Sequence, residues 1–157
     1  MYYWLNINLH FVVLWMFCIW YWGILWGSGN ESEKMRRKFL VSLAGIIVLI
    51  PIGLYSRHFS WLPDEVGDAL WAMMVFCLWR MILVRKGLPF VALISLIHSC
   101  LVEFSQLIRW PWLVAFRDTF IGHMMLGQGF LWQDLLAYLV GISLIYGAFY
   151  VIEQRFW

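Results

Sequence analysis

The chain has 157 residues, which is enough for one domain, and 64% of them are hydrophobic while only 13% are charged. A soluble domain carries about 25% charged residues, so this composition excludes an ordinary soluble protein and indicates an integral membrane protein within the lipid bilayer. The net charge of +2, without a basic patch, gives no indication of nucleic-acid binding. The twelve Trp residues are typical of the aromatic belts at membrane interfaces.

Five apolar stretches of about 17 to 22 residues are each long enough to cross a hydrocarbon core of roughly 30 Å. They cover residues 5–26, 39–55, 64–84, 89–107 and 132–152. The first is predicted to be a membrane helix and not a cleaved signal peptide, because its basic residues follow the apolar run. Residues 27–38 are predicted to form a flexible, charged loop.

Residues 108–130 do not fit a sixth span. The apolar piece 112–116 is too short to cross, and Gly122 and Gly127 interrupt the piece that follows. We expect an interfacial or re-entrant segment near 110–130, where irregular backbone is tolerated if protein covers it. The predicted fold is therefore an all-α membrane bundle of about five transmembrane helices. Residues 1–38 hold the N-terminal helix and basic loop, and residues 39–157 hold a four-helix domain.

The charged residues divide between the two sets of helix ends. Six of the nine acidic residues fall at one set: Asp64, Glu65, Asp68, Glu103, Asp118 and Asp134. Eight of the eleven basic residues fall at the other: Lys34, Arg36, Arg37, Lys38, Arg80, Arg85, Lys86 and Arg155. The positive-inside rule predicts a cytoplasmic C-terminus and an extracytoplasmic N-terminus.

Polar residues also recur on single faces of three predicted helices, towards the acidic ends. They are Ser95, Ser99, Glu103 and Gln106 on the fourth span, Asp64, Asp68 and Trp71 on the third, and Asp134, Tyr138 and Gly141 on the fifth. Carboxylates avoid lipid, so these faces are expected to point inward. The result would be a polar, negatively weighted cup, with Arg57 and Arg117 as counter-charges.

Two interpretations of this cup stay open. In the first, the polar groups are structural: Glu103 pairs with Arg57 or Arg117, and Gln106 bonds a neighbouring helix. In the second, the cup is a ligand site, in which the arginines hold a phosphate or carboxylate, carboxylates hold a divalent cation, or Glu103 acts as a general base. The candidate ligand-binding residues are Arg57, Asp68, Glu103, Gln106, Arg117 and Asp118.

No motif in the sequence assigns a reaction. There is no Ser-His-Asp order, HExxH, P-loop or GxGxxG, so catalytic residues and cofactors stay unassigned and enzyme activity is not indicated. The three cysteines, Cys18, Cys77 and Cys100, lie in apolar runs without ligand spacing, so neither a metal site nor a disulfide framework is predicted. His98 is predicted to be a hydrogen-bonding residue of the core.

Several motifs resemble known families. Glu103-x-x-Gln106, Arg117-Asp118 and the segment from Gly122 to Gly127 resemble the VanZ-like membrane proteins, which are linked to teicoplanin resistance. The sequence is more similar to a neighbouring family called domain of unknown function 2809. That similarity rests on Gly53-Leu54-x-Ser56-Arg57, Leu62-Pro63, Gly67-Asp68-Ala69-Leu70-Trp71-Ala72, Val102-Glu103-x-Ser105-Gln106, Arg117-x-Thr119, Gly122, Leu126-Gly127, Phe130, Asp134 and Tyr138.

The resemblance covers about residues 39–141 and leaves the first span outside. It implies a small bacterial inner-membrane protein of the cell envelope that acts on a lipid-linked cell-wall precursor or a glycopeptide. We therefore expect a VanZ-like protein that binds a polar or anionic headgroup at its outer face. The alternative is an accessory subunit of a larger membrane complex, docked through the N-terminal helix. A proton-coupled transporter using Glu103 is a third hypothesis, weakened by the lack of an inverted repeat.

Overall fold

The computed structural model describes residues 29–56, 59, 62–119, 122, 126–127 and 129–156. The first predicted span, residues 5–26, lies outside the described residues, as does Arg57. The predictions made for them stay predictions. Within the described ranges the protein is all-α, and no residue there is in a β-strand.

Five helices follow one another along the described chain. They are α1 (Asn30–Ser56), α2 (Asp64–Ile82), α3 (Leu88–Ser105), α4 (Pro111–Arg117) and α5 (Trp132–Phe156). Helices α2, α3 and α5 begin at or within one residue of the predicted positions. Helix α5 continues a full turn further than predicted, to include Glu153 and Arg155. Helix α4 has seven residues and occupies part of the segment predicted to be interfacial or re-entrant.

The loop predicted for residues 27–38 is wrong from Asn30 onward, because α1 begins there. The charges that suggested a solvated loop are spaced to stabilise a helix. Glu33 accepts a hydrogen bond from Arg37 at 2.9 Å, and Glu31 lies 3.8 Å from Lys34. Such pairs contribute about 0.2–0.5 kcal/mol each, and acidic residues in the first turn favour the helix dipole. The helix also continues through Pro51 to Ser56.

Helix α2 is the centre of the bundle. It packs against α1, α3 and α5, while α3 also packs against α5. Consecutive helices run antiparallel, so the helix ends form two layers. The basic end holds the start of α1 and α3 and the end of α2 and α5, and Lys38, Arg80 and Glu153 lie within electrostatic range there. The acidic end holds the opposite termini, where Asp134 lies within range of Asp68 and Glu103. The charges are therefore segregated as the sequence predicted.

Three described helices are long and apolar enough to cross a membrane: α1, α3 and residues 132–155 of α5. Helix α2 carries Asp64, Glu65, Asp68 and Arg80 among its 19 residues and is not one of these three candidates. Its neighbours on three sides shield it, so its charged ends need not face lipid. The described part of the chain is therefore all-α with three candidate membrane spans, and the five-span topology stays a prediction.

The apolar core lies between α2, α3 and α5. Phe76 and Phe149 are buried with their ring centroids 5.5 Å apart, and Cys77 is buried in the same cluster. The two helix backbones approach most closely at Gly141, where a Cβ atom would overlap the carbonyl oxygen of Ala69. Only glycine fits at this position. Close approach of small residues is a common way for helices to associate in membranes, because in lipid there is no hydrophobic driving force for association.

A buried ion pair fixes the basic end, and the sequence analysis missed it. Arg80 is fully buried and its guanidinium donates a hydrogen bond to the carboxylate of Glu153 on α5. The same guanidinium donates to the carbonyls of Lys86 at 2.8 Å and of Val84 at 3.5 Å. Arg80 therefore joins α2 to α5 and also holds the turn between α2 and α3.

We expect Gly141→Ala to lower the free energy of unfolding by about 1–3 kcal/mol, because the new methyl group forces α2 and α5 apart. Gly147→Ala is the matched control on the same helix, since nothing lies within 4 Å of the added atom. It should be neutral or gain up to about 1 kcal/mol from helix propensity. The measurement is the unfolding midpoint by tryptophan fluorescence in mild detergent. Equal midpoints for the two variants would contradict the close approach.

We expect Glu153→Ala to lower the free energy of unfolding by about 1.5–3 kcal/mol, because it leaves the buried Arg80 without its carboxylate. Glu33→Ala removes the exposed pair with Arg37 and should cost at most about 0.5 kcal/mol. Both changes replace a helical Glu with Ala, so helix propensity cancels in the comparison. The same unfolding assay measures both, and a larger loss for Glu33→Ala would show that the buried pair adds no stability.

Candidate functional site

A fully buried carboxylate, Glu103, lies at the acidic end of the bundle. It accepts three hydrogen bonds: from the Gln106 side-chain amide at 2.9 Å, the Leu131 backbone N–H at 2.9 Å and the Tyr138 hydroxyl at 2.8 Å. We call these four residues the Glu103 network. Burial of a carboxylate is costly unless donors replace water, and here three neutral donors do so.

The polar face of α3 brings Glu103 into the interior. Ser95, Ser99 and Glu103 are all fully buried, which confirms the inward orientation predicted from their spacing. The two serines donate to the carbonyls one turn earlier, Val91 at 2.7 Å and Ser95 at 3.0 Å. Their hydroxyls are thus satisfied within the helix, and Glu103 is the residue of this face whose side chain reaches other parts of the chain.

Gly127 completes the packing around the network. Its φ of +65° is a conformation that favours glycine, and a Cβ atom there would lie 2.8 Å from Nε2 of Gln106. The backbone at Gly127 thereby contacts the amide that donates to Glu103. Interruption of the apolar pattern by glycine predicted irregular backbone at this position, and the structure adds that Gln106 occupies the space.

Further carboxylates surround the Glu103 network. Asp134 and Tyr138 are buried on the same face of α5, as predicted. Asp134 lies within electrostatic range of Asp68 and Glu103, and more distantly of Glu65 and Asp64. Among the described residues no group of three carboxylate, histidine or cysteine side chains is placed to hold a metal ion. The arrangement is therefore a negatively charged region with hydroxyl and amide groups.

Arg117 is not the partner of Glu103. Its buried guanidinium donates to the carbonyl of Ile108 at 3.0 Å and to the carbonyl of Ser105. These carbonyls lie at and just beyond the C-terminal end of α3, where a positive charge complements the helix dipole. The ion pairs found among the described residues lie at the basic end. The predicted pairing of Arg117 with Glu103 is therefore wrong, and Arg117 instead joins α4 to α3.

The remaining predicted site residues are dispersed. Asp118 is exposed and follows the last residue of α4. Asp68 is partly buried on α2, within electrostatic range of Tyr138. Arg57 is outside the described residues. The structure thus joins Glu103 and Gln106 by a hydrogen bond and places Asp68 within electrostatic range of Tyr138. Arg117 instead contacts backbone carbonyls at the end of α3.

His98 forms a second polar contact nearer the middle of the bundle. The Trp79 indole N–H donates to Nδ1 of His98 at 2.9 Å, which confirms the prediction of a core hydrogen bond. The ring of Trp71 lies edge-on to His98 with centroids 6.3 Å apart, and Trp71 also contacts Tyr138. An unbroken set of side-chain contacts therefore connects His98 to the Glu103 network.

A family comparison covers the whole of this network. The model of a family described as a protein of unknown function (DUF2809) matches residues 57–142, which is more than half of the chain. The chain belongs to the DUF2809 family. The match begins at residue 57 instead of the expected 39, so all of α1 lies outside the DUF2809 region, as does Glu153. No solved structure matches the chain.

Part of the network was missed by sequence reasoning. Tyr138 was placed on the inward face of α5 but not among the site residues, although its hydroxyl bonds Glu103 directly. The donor at Leu131 is a backbone group, so no side-chain pattern could reveal it. The useful signal for Tyr138 was its spacing from Asp134 and Gly141, which put a hydroxyl on the buried face at the same end as Glu103.

We expect Tyr138→Phe to lower the free energy of unfolding by about 1.5–3 kcal/mol, since it removes a hydrogen bond to a buried charge. Tyr150→Phe on the same helix removes a hydroxyl from a half-exposed ring and should change it by less than about 0.5 kcal/mol. Unfolding midpoints of the two variants in one detergent provide the comparison. A Tyr138 variant as stable as the Tyr150 variant would mean that the hydroxyl adds nothing to Glu103.

Proposed function

We propose that this DUF2809 protein is a VanZ-like protein of the bacterial inner membrane that binds a polar ligand of the cell envelope at its acidic end. The observation that carries the proposal is the fully buried Glu103, held by donors from three separate parts of the chain. In this proposal the acidic end faces outward and the C-terminus is cytoplasmic, since the basic end follows the positive-inside rule.

The charge of the acidic end favours one type of ligand group. Glu103 and Asp68 both lie within electrostatic range of Asp134, and Arg117 donates to the carbonyls at the end of α3. A negative region attracts hydroxyl, amide and ammonium donors more readily than a bare phosphate. Sugar hydroxyls or an amino group of a lipid-linked precursor or glycopeptide would therefore contact the carboxylates, and a phosphate would lie further out.

The test is native mass spectrometry of the protein extracted gently from its own membrane. Glu103→Gln should abolish a co-purifying lipid-linked or glycopeptide species, because it removes the charge and turns an amide N–H₂ towards existing donors. Tyr138→Phe should reduce the bound fraction, since the carboxylate loses one of its three orienting donors. Glu31→Gln makes the same chemical change at an exposed position of the basic end and should leave the bound fraction unchanged.

The outcome also separates ligand binding from a structural role. If Glu103→Gln keeps the bound species at the wild-type level while its unfolding midpoint falls, Glu103 is a structural carboxylate and the proposal fails. If Glu31→Gln loses the species as well, binding depends on overall charge and not on the Glu103 network.

A second candidate function is that of an accessory subunit in a larger membrane complex. The exposure of α1 favours it: among the described helices α1 packs only against α2, and Ile47 is 62% exposed. A partner helix could cover this face. The same mass spectra test this second function. A protein partner present at fixed stoichiometry supports the role of a subunit, whereas detection of the 18.7 kDa chain alone contradicts it.

A further inference from the structure

We propose that the basic end of the bundle is a binding surface for anionic phospholipid headgroups, held in shape by the buried Arg80. This surface lies opposite the Glu103 network, and the proposal does not depend on the function proposed for that network. The surface recognises a phosphate group through several fixed cations that lie next to apolar side chains.

The first argument is charge. Eight basic residues lie at this end against three acidic ones, an excess of five positive charges. Each of the three carboxylates already contacts a basic side chain: Glu31 with Lys34, Glu33 with Arg37, and Glu153 with Arg80. Their negative charge is therefore offset locally, and the field of the surface is positive. The ligand that such a field attracts is an anion.

The second argument is the length of α1. Its 27 residues extend about 40 Å at 1.5 Å per residue, which exceeds a hydrocarbon core of roughly 30 Å. The excess of about 10 Å corresponds to about seven residues at the start of α1, so Lys34 and Arg36 reach beyond the core. Because these residues are helical and not a flexible loop, their side chains keep a fixed spacing at headgroup depth.

The third argument is preorganisation by Arg80. Its hydrogen bonds to the carbonyls of Val84 and Lys86 fix the turn between α2 and α3, on which Arg85 and Lys86 are exposed. Lys38, on α1, also lies within electrostatic range of Arg80. The start of α1 and this turn thus flank the buried guanidinium. Cations held in place lose less conformational entropy when they bind a phosphate.

The surroundings favour a lipid over a soluble anion. Large apolar side chains are exposed next to the basic residues: Leu40 is 50% exposed, Ile82 is 40% exposed and Phe90 is 45% exposed. The Lys86 ammonium lies 5.7 Å from the centroid of the Phe90 ring, so a cation and an apolar surface share one location. A phospholipid offers a phosphate and acyl chains together, whereas inorganic phosphate offers only the first.

The experiment uses the full chain in nanodiscs that contain phosphatidylcholine and phosphatidylglycerol in equal amounts. Native mass spectrometry counts the lipids of each type that stay bound when the disc is removed. The wild type should retain phosphatidylglycerol preferentially. Lys86→Gln should reduce this preference about fivefold, the effect of one Lys or Arg near an anionic surface. Its backbone carbonyl still accepts from Arg80, so the turn is kept.

Arg109→Gln is the matched control, because it removes one exposed positive charge at the acidic end. It should retain phosphatidylglycerol as the wild type does, and both variants should have the wild-type unfolding midpoint. An unchanged preference in Lys86→Gln, or an equal loss in Arg109→Gln, would overturn the proposal. Displacement of the bound phosphatidylglycerol by millimolar inorganic phosphate would also overturn it, since the surface would then be a site for soluble anions.

Discussion

The buried charge of Glu103 is the constraint on which the acidic end of this molecule depends. A carboxylate removed from water must be met by donors from the protein itself, and lipid can supply none. Each donor comes from a different local setting: the side chain that caps the end of α3, a backbone N–H just before α5, and a hydroxyl almost two turns into α5. The network therefore fixes the position of α5 relative to α3 along the bundle axis.

Arg80 plays the corresponding part at the basic end, where it joins α2 to α5 through Glu153. The two buried charges are at opposite ends of the bundle, and α5 supplies one hydrogen-bond partner to each, Tyr138 to Glu103 and Glu153 to Arg80. Between them lie apolar contacts, which in lipid give little preference for one helix arrangement over another. Polar contacts at the two ends, together with the close approach at Gly141, therefore determine how the helices are arranged relative to one another.

The sequence predicted the helices and their faces well, because periodicity reveals which side of a helix is buried. Ser95, Ser99 and Glu103 point inward as their spacing required. The sequence could not reveal which residues contact each other across helices. Arg80 was counted only as one of the basic residues at a helix end, since nothing local shows that it reaches Glu153, 73 residues later. Arg117 was assigned a carboxylate partner because charge patterns suggest salt bridges, whereas backbone carbonyls left open at a helix end are invisible in a list of side chains.

The contacts of α2 with α5 have a consequence for how the molecule can move. Gly141 meets Ala69 backbone to backbone, with no side chain between them that could change rotamer, and the ion pair holds the same two helices further along. These helices form a rigid frame. Helix α1 has a single neighbour among the described helices. Among the described helices, a shift of α1 against α2 is therefore the movement that leaves the contacts of α2 with α5 unchanged.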